Sequence, residues 1–341
     1  MNIVITGGAG FLGVRLARSL LILGQLSLAG TAPRTITRLT LVDRAAPPAD
    51  LLADARVKAV IGDLHDLLQA TQDGVPAVPT DADVVFHLAA AVSGECEADF
   101  DLGMRSNLDA TRALLEACRA LHHPPTVLFA SSLAVFGNSP EQPLPAVITD
   151  TTLPTPQNSY GIQKFIGEQL VADYGRKGFI RGRNVRLMTV SVRPGRPNAA
   201  ASSFLSGMIR EPLAGVRATC PVPPDTPVAL SSPGRTIEGL IRAVVASDSE
   251  WGARTAINLP ALTTTAGEMA AALERVAGKA ATDLIDWTLN PAIANIVTNW
   301  PARIDAARAR GLGLLPDADF ETIIRDYIRE NPNAVALPVQ P

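Results

Sequence analysis

The segment SYGIQKFIGEQL, residues 159–170, carries a tyrosine and a lysine four residues apart, Tyr160 and Lys164. On a helix, side chains at this spacing lie on one face. The lysine charge would then favour the phenolate form of the tyrosine, whose pKa is otherwise about 10. The pair therefore predicts a general base that works near neutral pH.

Two serines, Ser131 and Ser132, end the apolar run TVLFASS at 126–132. This run is typical of a buried strand, and open parallel sheets bind ligands beyond the carboxyl ends of their strands. We expect the Ser132 hydroxyl to donate a hydrogen bond to a substrate oxygen. Ser132, Tyr160 and Lys164 would then meet in one crevice.

Three glycines, Gly7, Gly10 and Gly13, follow the first strand in VITGGAGFLG. Gly7 permits a tight turn, Gly10 lets the backbone approach a pyrophosphate, and Gly13 lets a helix pack closely on the strand. Phe11 and Leu12 open that helix, whose N-terminal amides can bind phosphate. The loop therefore predicts a dinucleotide site.

Two carboxylates stand at the ends of the next strands. Asp43 could accept hydrogen bonds from both adenosine ribose hydroxyls and would repel a 2′-phosphate, so NAD is favoured over NADP. Arg44 tempers this preference, because a guanidinium could meet that phosphate. Asp63, followed by Leu64, could reach the adenine amino group, and it could equally cap the helix that begins there.

The elements that must position these residues alternate along the first 190 residues. Continuous apolar runs alternate with amphipathic helical stretches, which is typical of a parallel sheet with helices on both faces. We therefore predict an α/β fold with a doubly wound Rossmann parallel sheet. The predicted strands are 2–6, 38–43, 56–62, 83–89, 126–132 and 184–190, and the predicted helices include 11–23, 97–121 and the helix of Tyr160.

The pattern changes beyond about Val192, where proline and glycine cluster in RPGRPN and CPVPPDTP. Helices at 235–247 and 266–277 alternate there with single short strands. We expect two domains, an NAD-binding Rossmann domain at 1–190 and a smaller C-terminal α/β substrate lobe at 191–335. Segments of the lobe can return to the main sheet.

Composition limits the classes of function. The 341 residues include 30 basic and 33 acidic residues, and no basic block indicates nucleic-acid binding. No apolar run is long enough to span a membrane, and no signal peptide is visible, so we expect a cytoplasmic enzyme. Neither a disulfide framework nor a metal site is expected from four histidines and three scattered cysteines, Cys96, Cys118 and Cys220.

Four motifs occur in a characteristic order: TGGAGFLG (6–13), HLAA (87–90), ASSLAVFG (130–137) and YGIQK (160–164). This order resembles the extended short-chain dehydrogenase/reductases, a family that includes nucleotide-sugar epimerases and dehydratases. The resemblance covers nearly the whole chain. It implies an NAD-dependent oxidoreductase in which Ser132, Tyr160 and Lys164 form the catalytic trio.

The resemblance also assigns residues around that trio. Asn107 would support the active site through its backbone or a water, and HLAA would run past the inner ribose of the cofactor. Ser131 would line the substrate pocket, and Thr189 would lie near the nicotinamide. Beyond the glycine loop and the two carboxylates, the expected cofactor contacts are Leu88, Ala89, Ala90, Asn107, Tyr160, Lys164 and Met188.

Departures from the family pattern narrow the chemistry. Leu133 and Ala134 follow Ser132, where dehydratases carry an acidic pair, so elimination is disfavoured. The segments 191–204 and 229–243, together with DFDLGMR and IREPLAG, resemble a branch of dehydrogenases that oxidise a small sugar acid at C2. We therefore predict a small sugar acid as the substrate.

Such a substrate needs a cation for its carboxylate. Arg193, Arg196 and Arg235 could each clamp a carboxylate bidentately, and each could equally form a structural ion pair. The remaining expected substrate contacts are Ser131, Ser132, Tyr160 and Thr189, with Ser202, Ser203 and Thr236 as readers of hydroxyl groups.

Other functions fit the same motifs. A sugar epimerase would keep NAD tightly bound and release no net NADH, and a uronic-acid dehydrogenase would differ only in substrate. A regulator that senses NAD(P) would do no chemistry, but such proteins typically lose the tyrosine or the lysine of the trio. Relatives often pair through helices that include the tyrosine helix, so we expect a homodimer.

Overall fold

The computed structural model describes residues 1–69, 76–195 and 200–340. Its strands are, in chain order, β1 (Asn2–Thr6), β2 (Gln25–Leu26), β3 (Arg34–Thr35), β4 (Arg38–Asp43), β5 (Val57–Ile61), β6 (Val84–His87), β7 (Thr126–Ser132), β8 (Arg181–Leu187), β9 (Thr189–Val190), β10 (Ala218–Cys220), β11 (Pro227–Ser231), β12 (Ile257–Asn258), β13 (Leu262–Thr265) and β14 (Ile285–Trp287).

The helices are α1 (Phe11–Leu23), α2 (Ala49–Leu52), α3 (Leu64–Gln69), α4 (Ser93–Ala98), α5 (Phe100–Gly103), α6 (Ala110–Arg119), α7 (Ser159–Arg176), α8 (Phe204–Leu213), α9 (Pro233–Val245), α10 (Asp248–Trp251), α11 (Ala266–Ala277), α12 (Lys279–Thr282), α13 (Pro291–Val297), α14 (Ala307–Gly311) and α15 (Phe320–Glu330). A π-helical turn spans Met104–Asp109, and 3₁₀ turns span Leu133–Val135 and Pro332–Ala334.

Seven strands form one sheet in the order β12-β8-β7-β6-β1-β4-β5. The pairs β1–β4, β1–β6, β4–β5 and β6–β7 are parallel. The strand order reverses between β1 and β6, and such a switch point is where open α/β sheets bind ligands. The predicted doubly wound Rossmann sheet is therefore confirmed.

The contacts of the chain divide it into two interleaved units. Unit 1 comprises Met1–Ser132, Ser159–Arg186 and Ile237–Ile257, and unit 2 comprises Leu133–Asn158, Leu187–Thr236 and Asn258–Pro341. Each unit has an apolar core of its own, with Val4, Val85, Val127 and Phe129 in unit 1 and Leu205, Leu230, Leu273 and Ile324 in unit 2. The predicted roles of 1–190 and 191–335 stay predictions.

The helix predicted at 97–121 is interrupted, which corrects the sequence-based expectation. Asp99 has extended backbone angles that end α4, and its carboxylate accepts a hydrogen bond from the amide of Leu102 to cap α5. Short acidic side chains favour such capping positions over helix interiors. The π turn at Met104–Asp109 then separates α5 from α6.

Helix α7 lies close against β7 because a glycine faces a buried ring. A Cβ atom added at Gly167 would lie 2.5 Å from Cζ of Phe129, which is 1% exposed. The Nζ atom of Lys164, one turn earlier, lies 4.8 Å from the centroid of the same ring. Any bulk at residue 167 would therefore move the helix that carries Tyr160 and Lys164.

We expect Gly167→Ala to lower the melting temperature by several degrees. Overpacking against Phe129 should destabilise the fold by about 1–3 kcal/mol, more than the gain of up to about 1 kcal/mol from helix propensity. Gly175→Ala on the same helix is the matched control, because its Cβ atom would meet nothing closer than 3.6 Å. Thermal unfolding of both variants checks this, and equal melting temperatures would contradict it.

Candidate active site

The glycine loop after β1 is packed so closely that Gly7 and Gly13 have no room for a side chain. Gly7 has a φ angle of 71°, and a Cβ atom there would lie 2.8 Å from the amide nitrogen of Ala89. A Cβ atom on Gly13 would lie 2.1 Å from the carbonyl oxygen of Gly7. Gly10, the N-cap of α1, is exposed and makes no side-chain cap, so the amides of Phe11 and Leu12 can face a phosphate. The loop therefore fits the pyrophosphate of a dinucleotide.

Asp43, at the end of β4, is fixed against this loop. Its Oδ2 atom accepts a hydrogen bond of 3.0 Å from the amide of Ala9, and its Oδ1 atom accepts one of 3.1 Å from the amide of Ala45. Each carboxylate oxygen has two lone pairs, so both oxygens can accept a further bond. The carboxylate is thus held in place with acceptor capacity to spare, and its bonds to the ribose hydroxyls stay a prediction.

Asp63 caps α3, as one of its two sequence interpretations predicted. Its Oδ1 atom accepts hydrogen bonds from the amides of His65 at 3.0 Å and Asp66 at 3.4 Å. Arg105 lies beside it, with Nη2 at 3.6 Å from Oδ1. Leu64 is buried. The predicted contacts of Asp63 and Leu64 with adenine stay predictions.

Asn107 lies in the π turn, a feature that often marks functional sites. Its Oδ1 atom accepts a hydrogen bond of 2.8 Å from the amide of Ala91, directly after HLAA. Its Nδ2 atom donates to Oε1 of Gln163 on α7 at 2.8 Å. The side chain therefore joins the HLAA segment, whose Leu88, Ala89 and Ala90 are half-buried, to the helix of Tyr160 and Lys164.

A buried chain of hydrogen bonds runs from β1 to Asn107. His87 contacts the Thr6 hydroxyl through Nδ1 at 2.7 Å and the Thr111 hydroxyl through Nε2 at 2.9 Å. The Thr111 hydroxyl donates its proton to the Asn107 carbonyl at 2.6 Å, so Nε2 of His87 must be the donor. Burial, with a smaller effect of the Lys164 charge, lowers the pKa of His87 to about 3, so the ring is neutral.

Lys164 and Tyr160 lie on the inner face of α7. The Nζ atom of Lys164 donates to the carbonyl of Ala130 at 2.9 Å and lies 5.7 Å from the centroid of the Tyr160 ring. Burial lowers the pKa of Lys164 to about 8, against the opposing influence of Cys96 and Glu168. The ammonium form still predominates at neutral pH. Tyr160 and Ser132 are half-buried and so remain accessible.

Three buried polar residues beside the trio form a network that the sequence did not reveal. The Ser131 hydroxyl, predicted to line the substrate pocket, donates to Oε1 of Glu168 at 2.5 Å. Arg186 on β8 donates to both oxygens of that carboxylate, at 2.8 and 2.7 Å. The clue in the sequence was that Glu168 continues the four-residue spacing of Tyr160 and Lys164.

The remaining predicted residues that the structure describes lie in unit 2. Met188 is buried, and Thr189 pairs with Leu230 of β11. The amide of Arg193 donates to Oγ of Ser206 at 3.0 Å, and its carbonyl accepts from Nη1 of Arg210 at 2.7 Å.

Arg235 and Thr236 stand in the first turn of α9. The amide of Arg235 donates to Oγ of Ser232 at 3.1 Å, and the buried Thr236 hydroxyl donates to the Ser232 carbonyl at 2.9 Å. Ser202 and Ser203 are half-buried, and Arg196 lies outside the described residues. The substrate contacts of all these side chains stay predictions.

Within the described ranges, no group of three or more His, Cys, Asp and Glu side chains could hold a metal ion. Cys96, Cys118 and Cys220 are buried thiols. The described helices include none with the length and apolarity that crossing a bilayer requires.

The model of the NAD dependent epimerase/dehydratase family matches residues 3–226. D-erythronate dehydrogenase of Cupriavidus necator is 54% identical over 97% of this chain and 98% of its own, and D-erythronate dehydrogenase of Haemophilus influenzae is 40% identical over 96% and 99%. A crystal structure of the nucleoside-diphosphate-sugar epimerase from Agrobacterium tumefaciens superposes with a TM-score of 0.87, at 40% identity over 98% of this chain and 95% of that one.

We expect the stability penalty of the buried Lys164 ammonium to disappear at alkaline pH. The folded chain releases this proton near pH 8 and the unfolded chain near pH 10.5, so stability rises with pH between these values. Lys164→Met has no such proton, so the stability of wild type relative to this variant should increase as the pH rises from 8 towards 10. Melting temperatures of both proteins across this range check this, and a constant difference would contradict the assignment.

Proposed function

This chain belongs to the NAD dependent epimerase/dehydratase family, and we propose that it oxidises the C2 hydroxyl of D-erythronate to the 2-oxo acid. It is an NAD-dependent oxidoreductase, with a glycine loop shaped for the cofactor and a complete Ser–Tyr–Lys trio. The full-length identity to two D-erythronate dehydrogenases is the observation that carries the choice of substrate.

Bound NAD supplies the acceptor for the hydride that leaves C2. Tyr160, as phenolate, takes the proton of the C2 hydroxyl on its Oη atom, while Ser132 donates a hydrogen bond to the developing carbonyl oxygen. Lys164, held by the Ala130 carbonyl, keeps its charge next to the Tyr160 ring and favours the phenolate. Its ammonium would also hold the nicotinamide ribose.

The cofactor would lie along the carboxyl ends of β1, β4 and β6. The amides at the start of α1 would bind the pyrophosphate, and Asp43 would accept bonds from the adenosine ribose. HLAA, whose Ala89 leaves no room for a Cβ atom at Gly7, would pass the inner ribose. The remaining proposed cofactor contacts are Asp63, Leu64, Asn107 and Met188.

We further propose that Arg193 or Arg235, with Arg196 as a third candidate, binds the substrate carboxylate. Planar guanidinium groups suit bidentate carboxylate recognition. The Arg193 backbone is fixed on both sides by α8, through Ser206 and Arg210, and this supports its use in positioning a ligand.

A second candidate is a sugar epimerase that retains NAD, because one structural relative at 40% identity is a nucleoside-diphosphate-sugar epimerase. An epimerase reoxidises its own NADH within each turnover, whereas a dehydrogenase releases it. Dehydration is disfavoured, since Leu133 and Ala134 are buried apolar residues where an acid–base pair would be needed.

The proposed enzyme is a cytoplasmic homodimer. Three buried free thiols suit a reducing compartment. Ile162 and Ile166, one turn apart on α7, are 46% and 37% exposed, and Phe100 is 61% exposed. An apolar pair at this spacing on an outer helix face supports pairing of α7 with a second copy.

We expect purified protein to produce NADH from D-erythronate and NAD, and Tyr160→Phe to reduce turnover by about 10²–10⁴-fold because the base is lost. The dissociation constant of NADH, measured by its fluorescence, should stay within about 2-fold of wild type, because the phenol hydroxyl adds little to cofactor binding. Absorbance of NADH measures turnover.

A panel of C4 to C6 sugar acids with NAD and NADP completes the assay. Epimerisation of a sugar without accumulation of NADH would show that the protein is an epimerase and would contradict the proposed dehydrogenase activity. Tight NAD binding with no turnover of any sugar acid would indicate a regulator, and normal turnover by Tyr160→Phe would exclude Tyr160 as the base.

We expect Ile166→Glu to convert a dimer into a monomer, because a buried charge in an apolar interface is strongly destabilising. Light scattering coupled to size exclusion measures the mass. Ile22→Glu on α1 is the matched control, since Ile22 is 86% exposed and lies outside the proposed interface. A monomeric wild type, or dimerisation unaffected by Ile166→Glu, would contradict the interface.

A further inference from the structure

The network of Ser131, Glu168 and Arg186 joins two strands of the sheet, β7 and β8, to the helix α7. Ser131 is the penultimate residue of β7, Glu168 lies in α7, and Arg186 lies in β8. The side chains of Glu168 and Arg186 are 2% and 4% exposed, and Ser131 is 2% exposed. The hydrogen bonds to the carboxylate therefore form away from solvent.

Stability alone gives a poor reason for such a network. Burying two charges carries a desolvation penalty that a bidentate pair only partly recovers, and apolar residues of similar volume are often as stabilising. A network of hydrogen bonds differs from apolar packing in one respect, because it specifies distances and directions between the groups that it joins. The network is therefore suited to fixing positions.

The positions that it fixes are those of the catalytic residues. Glu168 lies one turn after Lys164 and two turns after Tyr160 on the same helix face. Ser131 is bonded directly to Ser132 along the chain, so movement of one residue moves the other. The bond between Ser131 and Glu168 thus links the strand end that presents Ser132 to the helix that presents Tyr160.

The other contacts between β7 and α7 described above do not fix the direction in which the helix lies on the strand. The Lys164 ammonium bonds the Ala130 carbonyl, but a flexible side chain of four methylenes can follow a shift of the helix. Packing of Gly167 on Phe129 sets the distance between helix and strand and is non-directional. The carboxylate, held by Arg186 on a third element, supplies the missing direction.

We propose that Glu168 is a positioning residue, which with Ser131 and Arg186 holds the Ser132 and Tyr160 hydroxyls at the spacing needed to share one substrate oxygen. This inference rests on the proposed function. Ser132 must donate to the oxygen whose proton Tyr160 removes, and a misplacement of about 1 Å can reduce the rate by about 10²-fold.

The first test is Ser131→Ala, which removes the bond to Glu168 and leaves the ion pair with Arg186. We expect kcat for D-erythronate to fall about 10-fold, with KM and the dissociation constant of NADH within about 2-fold of wild type. Ser131→Thr, which keeps a hydroxyl, should restore most of kcat. The matched control is Thr126→Val on the same strand, because the buried Thr126 hydroxyl has no hydrogen-bond partner among the described residues.

The second test separates positioning from stability. The triple variant Ser131→Ala, Glu168→Met and Arg186→Met replaces the network by an apolar cluster, so its melting temperature should lie within a few degrees of wild type. Its kcat should still fall at least as far as that of Ser131→Ala. A kcat within 2-fold of wild type in either variant, or a loss of kcat that only follows a loss of folded protein, would overturn the proposal.

Failure of the proposed function can be distinguished from failure of the positioning role. If wild type makes no NADH from D-erythronate, that function falls, and the positioning role is then decided by crystal structures of wild type and the triple variant. We expect the distance between Ser132 Oγ and Tyr160 Oη to change by more than about 0.5 Å, the tolerance of a productive site. An unchanged distance would overturn the positioning role irrespective of the substrate.

Discussion

The charge of Lys164, buried against β7 of the sheet, is the constraint on which the rest of the site depends. An isolated ammonium in an apolar interior loses its proton, and burial lowers the pKa of this lysine to about 8. The Ala130 carbonyl and the faces of the Phe129 and Tyr160 rings surround the charge with negative ends of dipoles and quadrupoles. The lysine can therefore remain protonated at neutral pH while it stays dry enough to act on the phenol.

The same charge explains the state of the neighbouring polar groups. A protonated His87 would place a second cation near Lys164, and its pKa of about 3 prevents this. The neutral ring is held in one tautomer by Thr6 and Thr111, and the bond chain ends on the Asn107 carbonyl. Glu168 is likewise neutralised by Arg186. Of the ionisable groups beside the trio, His87 is thus uncharged and Glu168 is paired.

The candidate catalytic and cofactor-binding residues could be predicted from the sequence because they occur in short motifs. The glycine loop, the Ser131–Ser132 strand end and the Tyr160–Lys164 spacing each lie within one element and its neighbour, and the doubly wound parallel sheet follows from alternating strands and helices. The Glu168–Arg186 pair was missed because its partners come from separate elements, and nothing in a local pattern says that a charged residue is buried. The interruption of the helix predicted at 97–121 was missed because Asp99 acts as a cap within an otherwise helical pattern.

Unit 1 contains the glycine loop, Asp43, Asn107, Ser132, Tyr160 and Lys164, so most of the residues predicted for cofactor binding and proton transfer lie in a single unit. Thr189, Arg193 and Arg235, the predicted readers of the substrate, belong to unit 2. Hydride transfer from any secondary alcohol to NAD requires the same base and hydrogen-bond donor. Recognition of a carboxylate and recognition of a nucleotide require different binding residues. One fold can therefore serve different substrates, and this chain resembles relatives named as dehydrogenases and as an epimerase. On the proposed function, the choice of substrate would rest with the guanidinium groups predicted in unit 2, and the positioning of Ser132 and Tyr160 with the buried network of unit 1.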